Sequence, residues 1–305
     1  MTKTSSSSKL VLFQDYLPYL EQCLSNNNND DVLSPSEVFF ELANKKRIGY
    51  QLLSSKTIIT IQQTNTVGTH TGGIVWETSY LLANYLLSSY KGGGGRVLEV
   101  GSGCGMLGLL LAATNSYDMV VLTETTDVLP NLQQNVQDNL TSCTAVHPRR
   151  LRWDQFHLDV DGDDVLKESF FDLIVGTDVI FTPTLVRPLL QTLRYMSHDT
   201  TIIYICVQIR CQESHTLFLN QAPHYNFQIK DISTQYHTIP SCAWGKELDC
   251  ILFQLTTSKQ EKTSKKKEKK KKKEKKRKFH TPNDTEETND NCHFPKKKKR
   301  NKKSL

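Results

Sequence analysis

The stretch 97-VLEVGSGCGMLG-108 decides the fold, because a short apolar run suited to a buried strand passes straight into glycines at 101, 103 and 105 and then into the helix-compatible run 106-MLGLLLAAT-114. Outward from it the alternation continues. Strand-like segments recur at 119-MVVLT-123, 149-RRLRW-153, 171-FDLIVGT-177, 201-TIIYICV-207, 225-YNFQIKDI-232 and 248-LDCILFQL-255, with helix-compatible segments at 127–140 and 183–196 between the early ones. Strands alternating with helices predict right-handed crossovers and a mostly parallel, seven-stranded α/β sheet covered on both faces. Ligands bind such sheets at the carboxyl ends of the strands.

Upstream, 47-RIGYQLL-53 and 57-TIITIQ-62, separated by Ser-Ser-Lys, predict an N-terminal β-hairpin with a short turn. Residues 1–45 read as a partly disordered appendage: one helix-compatible segment, 9–24, precedes the polar insert 25-SNNNNDD-31. Residues 46–258 form the expected folded domain. Residues 259–305, with 265-KKKEKKKKKEKKRK-278 and 296-KKKKRNKK-303, read as a disordered lysine-rich tail.

The net charge of +6 hides an asymmetry: the tail carries 21 Lys and Arg against 7 Asp and Glu, a balance of +14, which leaves −8 for residues 1–258. The folded part is acidic, so the overall charge does not argue for a nucleic-acid-binding fold. Eight cysteines stand singly with no C-x-x-C pair, which predicts a reduced intracellular compartment and no metal site. The N-terminus lacks the apolar run of a signal peptide, and no stretch of about 18 apolar residues is present to span a bilayer. A soluble protein of the cytoplasm, the nucleus or both is expected.

Two cofactor readings fit the glycine turn. Gly101, Gly103 and Gly105 behind the strand-borne acid Glu99 suit S-adenosyl-L-methionine (AdoMet), whose amino-acid end rests on such a turn. Gly103, Gly105 and Gly108 match the dinucleotide spacing G-x-G-x-x-G, but the strand then ends too early and Glu99 points a charge toward the diphosphate. Either nucleotide needs an acid for its ribose at the end of the second strand, where Glu124 stands. The alternative for Glu124 is a charge at a helix start, with Thr125, Thr126 or Asp127 as cap. Cys104 reads as small filler.

Asp178 poses a separate question, since it ends the apolar run 171-FDLIVGTDVIF-181. Buried alone, a carboxylate costs several kcal/mol, so it sits at a strand tip near water or meets a cation. Capping of the helix that begins near Pro183 is the bland alternative.

Three further stretches, 72-GGIVWETSYLLANYL-86, 151-LRWD-154 and 176-GTDVIF-181, join 98-LEVGSGCG-105 in a specific combination. Over about residues 47–255 the chain resembles the seven-strand, class I methyltransferases that modify lysines of non-histone proteins such as valosin-containing protein, Hsp70 chaperones and elongation factors. The resemblance implies a Rossmann-like class I methyltransferase sheet with the hairpin as its extension. It implies AdoMet contacts from Trp76, Glu99, Gly101, Ser102, Gly103, Glu124 at the ribose and Trp153 beside the adenine. Asp178 and Phe181 match its Asp-x-x-Tyr/Phe motif, with Phe in place of the commoner Tyr. Arg210 falls near a family Gln-Arg pair, but Ile209 breaks the match and no role is assigned to it. Trp76 and Trp153 also suit a plain core.

The implied reaction is methyl transfer to a lysine ε-amine of a protein. A lysine must lose its proton first, and a carboxylate raises the amine's pKa, so Asp178 is expected to orient the lysine rather than act as base, with Phe181 walling its stem. The tail's two basic clusters suit an import receptor, non-specific RNA contact or self-methylation. Competing functions are an RNA or small-molecule methyltransferase, against which the lack of an Asn-Pro-Pro-Tyr type motif at 178–181 counts, and a non-catalytic AdoMet-binding adaptor.

Overall fold

The computed structural model describes residues 10–23, 33–64, 71–89, 93–139, 144–167 and 170–257. The chain divides into a compact unit, Met1–Lys259, and a second, Gln260–Leu305, which lies outside the described residues, as does the insert expected at 25–31. Among the described residues, ten strands form two sheets. The smaller joins β1 (Val11–Leu12), β2 (Arg47–Gln51) and β3 (Ile58–Gln62), with β1 parallel and β3 antiparallel to β2. The larger comprises β4 (Arg96–Val100), β5 (Met119–Glu124), β6 (Ala145–Arg150), β7 (Phe171–Thr177), β8 (Ser197–Gln208), β9 (Phe227–Asp231) and β10 (Cys250–Thr257). Its order is β6-β5-β4-β7-β8-β10-β9, and β10 runs against its two neighbours.

The order reverses between β4 and β7, so the carboxyl ends of these two parallel strands flank the crevice where open α/β sheets bind ligands. Helices α1 (Leu17–Cys23), α2 (Pro35–Ala43), α3 (Glu77–Ser89), α4 (Met106–Ala113) and α5 (Leu129–Asp138) precede β6 in the chain. Beyond them lie α6 (Phe156–Asp161), α7 (Asp164–Lys167), α8 (Pro183–Met196), α9 (Gln212–Gln221) and α10 (Ser233–Tyr236). Two apolar clusters result: α3 and α4 contribute to one, α8 to the other, and alternate residues of β4 and β7 to both.

Two differences from the sequence reading have physical reasons. The described residues within 1–45 are no mere appendage: Phe13, Leu20, Val38, Phe39 and Leu42 are buried in the first cluster, and the Phe13 ring stacks on Tyr80 of α3 at 4.4 Å. Their signal was local, since Ser34 and Glu37 form a reciprocal capping box that starts α2. The third parallel strand is Ala145–Arg150 rather than 149–153, because β6 pairs only with β5 and such an edge tolerates Pro148. Arg152 and Trp153 therefore follow the strand, where buried Asp159 accepts from the Arg152 backbone N–H at 2.8 Å and pairs with the guanidiniums of Arg150 and Arg152.

The hairpin forms as expected, with a longer connection of residues 52–57. Its β3 edge is closed by side chains: Asn135 Oδ1 accepts from Gln62 N–H and Asn139 Oδ1 from Thr60 N–H, both at 2.9 Å. Each amide also donates back to the carbonyl of the same residue. The clamps occupy the backbone groups of Thr60 and Gln62 that another chain's strand would otherwise pair with. Asn135 further donates to the Cys104 carbonyl at 2.9 Å, which ties the hairpin to the glycine turn.

Candidate functional site

The glycine turn is shaped by positive φ at Gly101, Gly103 and Gly105, +63°, +54° and +84°, values that favour a residue without Cβ. At Gly105 a Cβ would also lie 2.5 Å from Leu132 Cδ1. The turn is closed against β5 by Ser102, whose N–H donates to the Thr123 carbonyl and whose hydroxyl accepts from Thr123 N–H, each at 2.9 Å. Gly108 serves packing: it lies inside α4, where a Cβ would meet Leu122 Cδ2 at 2.0 Å. Burial pushes the Cys104 thiol up to about 12, so it is neutral filler beneath the turn.

Eight of the nine expected site residues converge on one cavity of about 600 Å³. Trp76, Gly101, Ser102, Gly103, Glu124, Trp153, Asp178 and Phe181 all line it. Glu99 does not. Its carboxyl lies beneath the turn, 1% exposed, and accepts from Gly108 N–H at 3.0 Å. Gly108 N–H belongs to the first turn of α4, whose cap residue Gly105 has no side chain, so Glu99 satisfies a donor left open by the helix. Burial raises the Glu99 carboxyl to about 8, against the smaller opposing pull of that hydrogen bond.

Glu124 reaches the cavity from the end of β5. Its Oε1 accepts from Gly103 N–H at 2.9 Å and its Oε2 from Thr125 N–H at 2.7 Å, which locks strand end and turn together. The capping alternative does not hold, because α5 starts at Leu129 with Val128 as its cap position and no side-chain cap bond. Trp76 is fixed by donation from its Nε1 to the Thr71 carbonyl at 2.9 Å. Trp153 packs partly against the second cluster and approaches Gly101, where a Cβ would stand 3.3 Å from its Cζ2.

Asp178 meets a cation. Its Oδ2 lies 2.8 Å from Arg210 Nη2, and its Oδ1 accepts from Gln208 N–H at 3.0 Å. It does not cap α8, whose cap position is Thr182. Desolvation pushes its carboxyl above the ordinary range, and Arg210 and the Gln208 N–H offset only part of that rise. Asp178 also has φ +51°, a conformation Asp and Asn adopt more readily than other residues with a Cβ. Phe181, 39% exposed, forms part of the cavity wall.

Arg210 is the residue that sequence reasoning left without a role. It pairs with Glu77 Oε1 at 2.7 Å as well as with Asp178, and its guanidinium carbon stands 4.3 Å from the centre of the Trp76 ring. The signal was available in the demand of a buried carboxylate for a cation, combined with an arginine two residues past the neighbouring strand. The broken Gln-Arg spacing hid it.

Residues 54–224, more than half of the chain, match the sequence profile of a family described as lysine methyltransferase. Among similar proteins, protein N-lysine methyltransferase METTL21A of Danio rerio is 27% identical over 165 residues, covering 51% of this chain and 72% of that protein. EEF1A lysine methyltransferase 3 of Xenopus tropicalis is 26% identical over 187 residues, covering 60% and 73%. A methyltransferase structure from Pyrococcus furiosus is 14% identical, with a TM-score of 0.43 over 65% of this chain and 88% of that one. The profile match spans the hairpin's end, the glycine turn and the Asp178 segment; the chain belongs to the lysine methyltransferase family.

Proposed function

We propose that the cavity binds AdoMet, and that Asp178 and Phe181 receive the lysine side chain of a non-histone protein beside it. The convergence of Trp76, the glycine turn, Glu124, Trp153 and Asp178 on one cavity at the β4/β7 switch point carries this reading. The residues fit the cofactor's chemistry: Gly101 and Gly103 bring backbone close to the space, Glu124 is an acceptor for ribose hydroxyls, and Trp153 offers an indole to an aromatic base. A volume of about 600 Å³ lies in the range of small-molecule sites.

When bound, AdoMet supplies an activated methyl group on a sulfonium. The chain's own contribution is positional, because the leaving group comes with the cofactor. Asp178 accepts a hydrogen bond from the lysine head group, Phe181 and Trp76 shield its stem from water, and the amine's proton leaves to solvent. The relatives' names specify lysines of proteins as substrate, one of them EEF1A, and the acidic folded part, at −8 over residues 1–258, suits a basic partner.

Equilibrium binding of AdoMet, read by quenching of the site tryptophans, tests the cofactor half. Glu124→Gln keeps an oxygen for Gly103 N–H but removes the charge, and weakens AdoMet about tenfold, the usual worth of a hydrogen bond to a charged acceptor. Equal affinity in both proteins contradicts the ribose role; tight binding of NADH with none of AdoMet contradicts the cofactor itself.

A further inference from the structure

Three charges meet where the proposed lysine would dock. Glu77 opens α3, Asp178 follows β7, and Arg210 follows β8; the Arg210 Nη2 bridges both carboxylates, at 2.7 and 2.8 Å. The two carboxylates are largely withdrawn from water, with side chains 12% and 7% exposed, while the Arg210 side chain is 32% exposed. Arg210 Nε also donates to Asp178 Oδ2 at 3.3 Å, and the Trp76 ring covers the guanidinium. The thiols facing this group, Cys206 on β8 and Cys250 on β10, are both driven upward by burial and stay neutral. Burial disfavours the Arg210 charge, but the two carboxylates outweigh it. The group therefore carries a net charge of −1.

That balance matters for a reaction that needs a neutral amine. Two unopposed carboxylates would hold a lysine as ammonium and raise its pKa; a carboxylate pair already bridged by arginine retains lone pairs for orientation but half the attraction. Resting on the methyltransferase reading above, we propose that Arg210 is a positioning residue that sets the protonation state of the substrate lysine, through Glu77 and Asp178. The ammonium gives one proton to water. The freed nitrogen lone pair then forms the N–C bond as the C–S bond of the sulfonium breaks, sulfur keeps the bonding pair, and the methylated ammonium returns its extra proton to solvent.

The test is the pH dependence of methyl transfer from tritium-labelled AdoMet, with heat-treated cell extract as acceptor, between pH 6.5 and 10. In wild type the rate rises with pH along a limb set by lysine deprotonation. Arg210→Gln leaves a charge of −2, so its limb moves up by about one pH unit or more, and the half-saturating acceptor concentration does not rise. The double variant Glu77→Gln/Arg210→Gln restores −1 and brings the limb back to within about half a unit. Arg210→Lys keeps the charge without the planar fork, so its limb stays near wild type even where the rate falls.

A uniform loss in Arg210→Gln with no shift of the limb, or a double variant that fails to restore it, overturns the proposal and leaves Arg210 a structural tie. A rise in rate at every pH also overturns it, since Arg210 would then be blocking the lysine's place. Wild-type protein that labels nothing at any pH is a different failure, and falls on the methyltransferase reading itself.

Discussion

Asp178→Asn lowers methyl transfer about 100-fold while AdoMet affinity changes by less than about threefold. Asparagine is the informative substitution because Asp178 has φ +51°, which asparagine accepts and alanine does not. The amide still accepts from Gln208 N–H through its oxygen, so the loop after β7 keeps its anchor. What disappears is a charged acceptor, worth about 1.5–3 kcal/mol, or roughly tenfold to somewhat over 100-fold, and with it the balance around Arg210. Transfer rates and AdoMet binding measured on the same preparation, with thermal unfolding as a check on folding, decide the matter. Unchanged transfer in a folded Asp178→Asn protein would make the residue a mere partner of Arg210.

Glu99→Gln has its large effect on stability. Folded, the Glu99 carboxyl titrates at about 8; unfolded, it titrates near its ordinary 4.5. Between those values the unfolded chain has released the proton that the folded chain still holds, so unfolding sheds a proton and stability falls as pH rises from about 4.5 to 8. The whole descent is at most about 5 kcal/mol at 1.36 kcal/mol per unit. Glutamine carries no such proton and can still accept from Gly108 N–H, so the variant is more stable than wild type at pH 8 and indistinguishable near pH 4.5. Denaturant unfolding of the ligand-free protein across this range reads the difference directly. Equal slopes in the two proteins contradict a neutral buried Glu99. The same variant also tests where Glu99 acts: unchanged AdoMet affinity fits a brace beneath the turn, whereas a marked loss would restore the direct contact expected from sequence.

The glycine turn and Asp178 were legible because each rests on a local rule. A strand followed by G-x-G-x-G has few structural solutions, and a carboxylate ending an apolar run must find water or a cation. The direction of the Glu99 carboxyl was not legible. Its place behind the turn was readable, but side chains alternate along β4, and which direction the carboxyl takes depends on an open helix donor at Gly108 that only the packed structure reveals. Arg210 failed differently, since it joins Glu77 and Asp178 across 133 and 32 residues of sequence. Ion pairs between elements leave no periodic trace.

The N-terminal segment shows the same limit. Residues 34–43 carry a complete capping box, yet their burial against Trp244 depends on a contact with the other end of the domain, where the Phe39 and Trp244 rings lie 4.6 Å apart. The polar run 25–31 separates the apolar residues on either side of it, so no continuous apolar period marks them as core. Side-chain clamps such as Asn135 and Asn139 on β3 are equally silent in sequence, because helix-facing asparagines look like any polar face until a strand edge lies beside them.

The most direct measurement of the central claim is mass spectrometry of proteins in a cell extract incubated with the purified chain and deuterium-labelled AdoMet, alongside Asp178→Asn. The account predicts labelled methyl groups on lysine ε-nitrogens of a discrete protein, lost with the variant. Label confined to RNA or small molecules, or lysine label that persists undiminished in Asp178→Asn, would contradict it.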